Sequence, residues 1–557
     1  MFVRTKTTPN SPRKTVQIVE SVRDGDKVKQ RIVRYVGVAM DEEELKRLLE
    51  VAEFIRQKIE NEHSPTLFSP EKMAEMVLEG RREEDSNDPI NINLRDLKEE
   101  QRSVVGVHAA YGEIYRQLGF SDLLKPSRHG RAAGDVLKHI VMARIANPSS
   151  KRSSVIQIEN DFGVSLNLPQ VYRMMDKLDD EACERIQNLS FHATRELLGG
   201  KVDVIFVDST TLYFESFTED EFKKNGYSKD LKFNQPQVLL ALIVTKQGLP
   251  IGYKAFPGST YEGHTLLPLL KGLKGKYELD KVVFVADSGL MNADNLDLLD
   301  EHGFEYIVGA RLKNLNKATK KKILELDSYQ ACHFGEDDNT KVLEIQQPKN
   351  RRLIVSHSER RARKDAHDRQ KTVNKILAKL KKSKDPKQLI SNYGYKKFVK
   401  VDGSVDVALD DEKIAEEAKW DGLHGVVSNA KDLSQKEILS QYRGLWQVEE
   451  SFRINKHDLR VRPIFHWTPS RVKAHLAIAF MAFACVRHLE YRVALQHRKI
   501  SPEAIRTALI RVQASVLKAP NGQRYVVPSS ASQDARKIYQ VMGLRYSTTP
   551  YRLSGNS

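Results

Sequence analysis

"VDVIFVDSTTLYF", residues 202–214, and "KVVFVADSG", residues 281–289, decide the fold of this chain. Each is an apolar, largely β-branched run that closes on an aspartate, Asp208 in the first and Asp287 in the second. Runs that are apolar at nearly every position read as strands buried on both faces, which belong in a sheet covered by helices on both sides. An aspartate at the carboxyl end of such a strand stands where open α/β sheets place their ligands. One such residue signifies little, because Asp is also a common turn former. Two in one sheet point to oxygen ligands for a hard cation such as Mg²⁺ or Mn²⁺.

The neighbouring segments fit that sheet. "PQVLLALIVTKQGLPIGYKAF", residues 236–256, reads as two strands joined at a turn on Gly248, and "FEYIVGARL", residues 304–312, as a further strand. "TLLPLLKGL", residues 265–273, and "NADNLDLLDEHG", residues 292–303, read as helices. The order βββαβαβ describes a mixed sheet. Upstream, residues 104–200 have a helical pattern. Within it, "SSVIQIENDFGVSLNLPQVYRMMDKLDD", residues 153–180, has the element order of a helix-turn-helix, with Gln170, Tyr172 and Arg173 near the start of the second helix. Any helical bundle offers similar breaks. Near the amino terminus, two β-branched runs flank a "DGD" turn over residues 15–36, the signal of a hairpin. "DEEELKRLLEVAEFIRQKIE", residues 41–60, sets Leu45, Leu48, Ala52, Ile55 and Ile59 on one helical face.

Composition narrows the partner. The 557 residues hold 90 Lys and Arg against 74 Asp and Glu, a net charge of +16, which points to a polyanion and most often to nucleic acid. The excess is concentrated: residues 351–400 carry 17 basic against 4 acidic side chains, much of it on a basic helix over residues 358–382. The three cysteines, Cys183, Cys332 and Cys485, have neither disulfide-framework nor zinc spacing. The amino terminus lacks the apolar core of a secretory signal, and the longest apolar run, Leu476 to Val486, is half a bilayer span. The expectation is a soluble cytoplasmic protein with no membrane partner.

A pair of metal ions needs a third carboxylate, and "QYRGLWQVEESFRINKHDLRVR", residues 441–462, supplies it. Read as one helix, it puts Glu449 on a face with Tyr442, Leu445, Trp446, Phe452, Arg453 and Lys456, while Glu450 turns about 100° away. Glu449 then aims at the ions. Glu450 is left to solvent or to a salt bridge. The plainer reading of Glu449 is a surface ion pair with Arg453. Three carboxylates holding two ions roughly 3.5–4 Å apart activate an attacking hydroxyl and stabilise the leaving oxygen in displacement at phosphorus.

These residues resemble those of the DDE transposases of bacterial insertion sequences, on "VDST", "VADSG" and the helix with Tyr442, Trp446, Glu449, Phe452 and Lys456. More narrowly they resemble the insertion-sequence-four group, whose helix reads Tyr, two residues, Arg, three residues, Glu, six residues, Lys. The chain departs from that pattern at Leu445, where the arginine is expected, with Arg443 two residues earlier. The opening "SVRDGDKVKQRIVRYVGV" is similar to the start of the sixteen-thirty-four-type subgroup.

The resemblance implies an α/β, RNase H-like catalytic fold with a largely β insertion between the second Asp and the Glu. It implies Asp208, Asp287 and Glu449 as catalytic metal ligands for two Mg²⁺ ions, with Mn²⁺ able to substitute. Tyr442, Arg443, Arg453 and Lys456 become candidate DNA contacts, and Trp446 either stacks on a flipped base or packs in the core. Arg311, just past "YIVGA", is read as a phosphate contact or as a solvated strand end.

The expected organisation is a small α+β module (1–62), a linker (63–103), a helical DNA-binding region (104–200), catalytic core (201–312), insertion domain (313–434), the remainder of the core (435–500) and a helical tail (501–557). The function implied is binding of terminal inverted repeats, metal-dependent cleavage at the ends and strand transfer into target DNA. The partners are DNA and a second copy of the chain, in a bacterial cytoplasm at the nucleoid. A catalytically inactive or domesticated DNA-binding relative has no need of three such carboxylates. A phosphatase with Asp208 as nucleophile would favour an aspartate at position 210, which is Thr210.

Overall fold

The computed structural model describes the chain except residues 1, 8–13, 25–26, 125–132, 216, 229–233, 266–267, 270–281, 291–292, 335–338, 383–396, 403–405 and 554–557. Between 40 and 91 it describes only residues 42, 45–46, 48–49, 52–53 and 56. The chain divides into two compact units, residues 1–69 with 163–165, and the rest.

The first unit is an antiparallel sheet of β1 (Phe2–Thr7), β2 (Lys14–Asp24) and β3 (Lys27–Ala39). The β2–β3 hairpin closes Asp24 against Lys27 around the anticipated turn. Val16, Ile18 and Val19 are buried, with the successive apolar pair accommodated by a register shift between Ile18 and Val19. Of the basic residues interleaved on β3, Arg31 pairs with Glu20 across the strands. The described residues between 42 and 56 are helical, and Leu48 packs over Gly37. The rest of the helix expected over 41–60, and the linker up to residue 91, lie outside the described residues.

The second unit opens on β4 (Lys98–Val104), followed by α1 (Gly106–Gln117), α2 (Ala133–Ala146), α3 (Lys151–Phe162), α4 (Leu168–Met175) and α5 (Asp180–Leu197). The helical reading of 104–200 matches these elements. Between α3 and α4 the chain turns at Gly163, φ 66°, and α4 starts with a capping box in which Asn167 and Gln170 exchange hydrogen bonds. Tyr172 lies under the Arg471 guanidinium at 4.7 Å. Gln170 and Tyr172 are thus engaged within the fold, while Arg173 is exposed.

Next come β5 (Val204–Tyr213), β6 (Gln237–Thr245), β7 (Pro250–Pro257), β8 (Val283–Ala286), α6 (Ala293–Glu301), β9 (Glu305–Ala310) and α7 (Lys317–Leu324). They are followed by β10 (Gln330–His333), β11 (Asn339–Gln347), β12 (Arg351–Ser358), α8 (Glu359–Lys382), the hairpin β13 (Val399–Asp402) and β14 (Asp406–Leu409), α9 (Asp411–Ala418) and β15 (Leu423–Ser428). One mixed sheet runs in the order β10-β11-β12-β15-β9-β8-β5-β6-β7. β5, β8 and β9 are parallel neighbours, and the other pairs are antiparallel. The described residues of 313–434 form six strands and three α-helices, the expected basic helix α8 among them, a more helical segment than the largely β insertion that the resemblance implies. Four of its strands continue the central sheet, because β15 pairs with the free edge of β9 and removes it from solvent. The helix expected at 265–273 falls largely outside the described residues.

The chain closes with α10 (Gln435–Arg443), α11 (Trp446–Arg453), α12 (Pro469–Gln496), α13 (Pro502–Ile510), β16 (Gln513–Lys518), β17 (Arg524–Pro528), α14 (Gln533–Val541) and β18 (Tyr551–Arg552). Two expectations are corrected here. The segment 501–557 is not a helical tail: β16 and β17 form a hairpin, turning at Gly522 with φ 82°. Nor does the linker reach residue 103, because β4 pairs with β16 in a four-stranded sheet with β17 and β18. The alternation of "QASVLK" and "RYVV" around "NG" is the hairpin signal that accounts for both.

α12 is the spine of the helical part, in contact with α1, α2 and α5. It is the one helix among the described residues long and apolar enough to cross a membrane, and 94% of its apolar window is buried within the chain, as in a core helix. On it, His488 contacts Thr194 Oγ1 at 3.0 Å. Burial pushes His488, and His466 just before the helix, down to about 3 from an ordinary 6.5. As pH falls below 6.5 the unfolded chain takes up protons that the fold refuses. Stability therefore falls with pH through the window between those two values. Ion-paired carboxylates such as Asp176 and Glu344 are held below their ordinary values and add their own loss only at lower pH. The melting temperature is expected to be flat above about pH 7 and to drop steadily from about pH 6.5 to 4.5; a flat profile through that interval contradicts the burial of neutral histidines.

Candidate active site

Strand register places the first two carboxylates. β5 and β8 run parallel with Val207 opposite Ala286, so the next step along both sets Asp208 beside Asp287, on strands about 4.8 Å apart. β9 continues the row, since Val308 lies opposite Ala286 and Gly309 follows. Asp287 stands just past the end of its strand, as expected. Asp208 does not: β5 runs on to Tyr213, because its pairing with β6 outlasts the short β8.

Alternation along the strands sets the face. Val207, Ala286 and Val308 enter a core cluster with Phe191 of α5 and Leu299 of α6. Asp208, Asp287 and Gly309 take the opposite face, together with Phe206 and Val285. α10 and α11 roof that face. Between them Gly444 sits so close to the sheet that a Cβ there would lie 2.7 Å from the Phe206 ring.

Tyr442, at the end of α10, donates a hydrogen bond from its hydroxyl to Asp287 Oδ1 at 3.3 Å. Its ring leans on His424 of β15, with 5.0 Å between centroids. Burial first, then the carboxylates of Asp287 and Glu449, push the phenol above its ordinary range, so it stays a proton donor. Burial, with Arg361 nearby, pushes His424 down to about 4 and keeps it neutral. The phenol reaches Asp287 only because position 309 is glycine: a Cβ there would be 2.5 Å from the Tyr442 hydroxyl.

The stretch read as one helix is three pieces. α10 ends at Arg443, α11 begins at Trp446, and a π-helical turn takes over at Ile454–Asp458. Glu449 lies in the first turn of α11, where an acid suits the helix dipole, and is exposed. Its charge reaches the Tyr442 hydroxyl that touches Asp287. Glu450 points instead at α12, 3.6 Å from Arg487 and 3.9 Å from Lys499. Arg487 is buried: its Nη1 donates to Glu490 at 2.6 Å and its Nε to the Gly248 carbonyl at 2.9 Å. Its Nη2 also meets Gln447 Oε1 of α11 at 3.4 Å. Gly248 has φ 76°, and a Cβ there would collide with the guanidinium.

The remaining sequence candidates separate. Arg311 reaches back to the Ser288 carbonyl at 3.0 Å and so stands beside Asp287. Arg443 turns away, stacked on Phe334 at 3.8 Å and bonded to Thr340 at 3.1 Å. Arg453 pairs loosely with Asp458 at 3.6 Å. Lys456 falls in the π turn, where the spacing of seven no longer repeats the face of Glu449. Trp446 is 47% exposed with Lys499 over its ring at 5.3 Å, which decides against core packing. Leu445 is buried, an apolar foot where the resemblance expected arginine.

Sequence reasoning missed His424, Arg487 and Glu262. The Glu262 and Asp287 carboxylates flank Gly289, at 3.3 and 4.0 Å from where its Cβ would be. No periodicity marks a histidine inside "LHGVV", an arginine within a largely apolar helix, or a glutamate in a turn.

The profile of the transposase DDE domain matches residues 199–485, just over half the chain and all three carboxylates, and that of the IS1634 family transposase N-terminal domain matches residues 2–65. The chain belongs to the IS1634 family of DDE transposases. No curated protein matches it significantly. Among solved structures, a piggyBac transposase synaptic complex with hairpin DNA shares 8% identity over 80% of each chain, with a TM-score of 0.35. The Mos1 transposase paired-end complex with left transposon end shares 14% identity over 33% of this chain and 61% of that one, with a TM-score of 0.14.

DDE transposases use divalent metal ions. The donors of this transposase fit such an ion by type, as hard carboxylate oxygens, and by the adjacent placement of Asp208 and Asp287. Among the described residues no three His, Cys, Asp or Glu side chains, Glu449 included, are gathered as a bound metal gathers them.

The packing of Tyr442 on Gly309 is testable by urea melts of Gly309→Ala, Tyr442→Phe and the double variant. Gly309→Ala is expected to destabilise the transposase by about 1–3 kcal/mol, and to cost less once the phenolic oxygen is gone. Strict additivity would show that the hydroxyl does not occupy that space.

Proposed function

We propose that this transposase binds the terminal inverted repeats of its own element, hydrolyses phosphodiester bonds at the ends, and joins the freed 3′-hydroxyls to target DNA. Asp208, Asp287 and Glu449 hold two Mg²⁺ ions, for which Mn²⁺ can substitute. The observation that carries the reading is the register that puts Asp208 beside Asp287 on the face roofed by α11. When bound, the ions supply Lewis-acid activation of the attacking oxygen and stabilise the leaving one. Water and a 3′-hydroxyl can use one nucleophile position, so a single site serves both reactions.

The chain's own residues do the rest. Tyr442 keeps its proton and fixes one oxygen of Asp287, leaving the other for a ligand. Arg311 holds the Ser288 carbonyl and so the turn behind Asp287. Glu450 locks α11 to α12 and keeps Glu449 on the sheet side. Trp446, exposed and next to a cation, suits stacking on a base at the DNA end. Lys456 and Arg453 are candidate phosphate contacts.

In this reading residues 201–312 and 435–500 are the RNase H-like catalytic core, 313–434 is the insertion, and 104–200 together with the amino-terminal module binds the repeats. Two ends must be paired, which requires at least a dimer of the transposase acting on DNA in the cytoplasm.

Asp208→Asn, Asp287→Asn and Glu449→Gln should each lower Mg²⁺-dependent cleavage of a repeat-bearing duplex by at least about 10³-fold and leave binding of that duplex within about threefold. Near-normal cleavage in any one of the three removes that residue from the metal site.

A further inference from the structure

We propose that Arg361, in the first turn of α8, binds a phosphate of the DNA end held over Asp287. The inference rests on the transposase reading and extends it to a residue of the insertion.

The start of α8 is pinned to the start of β15. The Gly422 amide donates to Asp365 Oδ2 at 3.1 Å, and a Cβ on Gly422, where φ is +79°, would lie 2.8 Å from Ala362 Cβ. Two residues past Gly422, His424 packs on Tyr442, and Tyr442 bonds to Asp287. The start of α8 therefore lies against the strand whose His424 leads through the Tyr442 phenol to Asp287. The Arg361 charge reaches the His424 imidazole and lowers its proton affinity.

The side chain is built for a ligand rather than for the fold. It is 51% exposed, and its contact with Asp365 is 3.7 Å, beyond hydrogen-bond length, while Asp365 is already committed to Gly422. Of the two arginines of the roof, Arg443 is engaged with Phe334 and Thr340, while Arg453, like Arg361, is only loosely paired, 3.6 Å from Asp458. Leu445 offers no charge at all. A guanidinium matches a phosphate in two hydrogen bonds, which an ammonium cannot reproduce.

The test compares the transposase with Arg361→Ala, Arg361→Lys and Lys419→Ala, an exposed control just past α9. The probe is a duplex ending in the inverted repeat that borders the reading frame. Binding is measured against salt without divalent metal, and single-turnover cleavage with Mg²⁺. Arg361→Ala should flatten the slope of log K against log salt by about 0.9, one phosphate contact, and slow cleavage about tenfold. Arg361→Lys should restore the slope, and Lys419→Ala should change neither. An unchanged slope in Arg361→Ala overturns the inference, as does an equal loss in Lys419→Ala. If the wild type neither binds nor cuts the repeat end, the transposase reading of the site falls, and this inference with it. If the wild type cuts and Arg361→Ala matches it, only the inference falls.

Discussion

The parallel pairing of β5 with β8 is the constraint on which the site depends. Parallel neighbours advance together, so one register fixes Asp208 against Asp287, and a slip of one residue would send one carboxylate into the apolar layer with Phe191 and Leu299. The apolar runs before each aspartate hold that register, because both faces of these strands are covered. On that face Asp287 is exposed and Asp208 half-buried. In the proposed function, folding and chemistry draw on the same pairing.

The third acid is positioned by a different kind of interaction. Arg487 is buried with Glu490 and ties the β6–β7 turn, α11 and α12 at one point. A buried ion pair of this sort adds little net stability, since desolvation offsets most of the attraction. What it fixes is direction. Glu450, drawn toward Arg487, sets the rotation of α11, and the neighbouring Glu449 is left on the side of Asp287 and Tyr442. Two adjacent glutamates so meet different surroundings, Glu450 drawn to Arg487 and Glu449 exposed with its charge felt at the Tyr442 hydroxyl.

Much of this is legible in the sequence. The buried runs that carry Asp208 and Asp287, the succession of strands from β5 to β9 and the separation of Glu449 from Glu450 are periodicity and composition, which a single chain displays. What was hidden depends on contacts between distant segments. Nothing local in "YRGLWQ" announces that Gly444 must meet Phe206, so one helix was expected where the roof is broken, and broken again at the π turn. Arg443 had the right charge near the right motif, yet Phe334 and Thr340, a hundred residues earlier, claim it. The extension of the sheet by β10–β12 and β15 is a pairing choice of β9's edge, and the hairpin of β16 and β17 was masked by the helices before it.

The central claim is that one metal site is assembled from β5, β8 and α11. The most direct measurement is anomalous scattering from Mn²⁺ in crystals of the transposase bound to its end DNA. The account predicts a peak between the Asp208 and Asp287 carboxylates, with Glu449 completing the ligand set of the pair of ions. Manganese bound away from Asp208 and Asp287, or a site occupied without any contribution from Glu449, would contradict it.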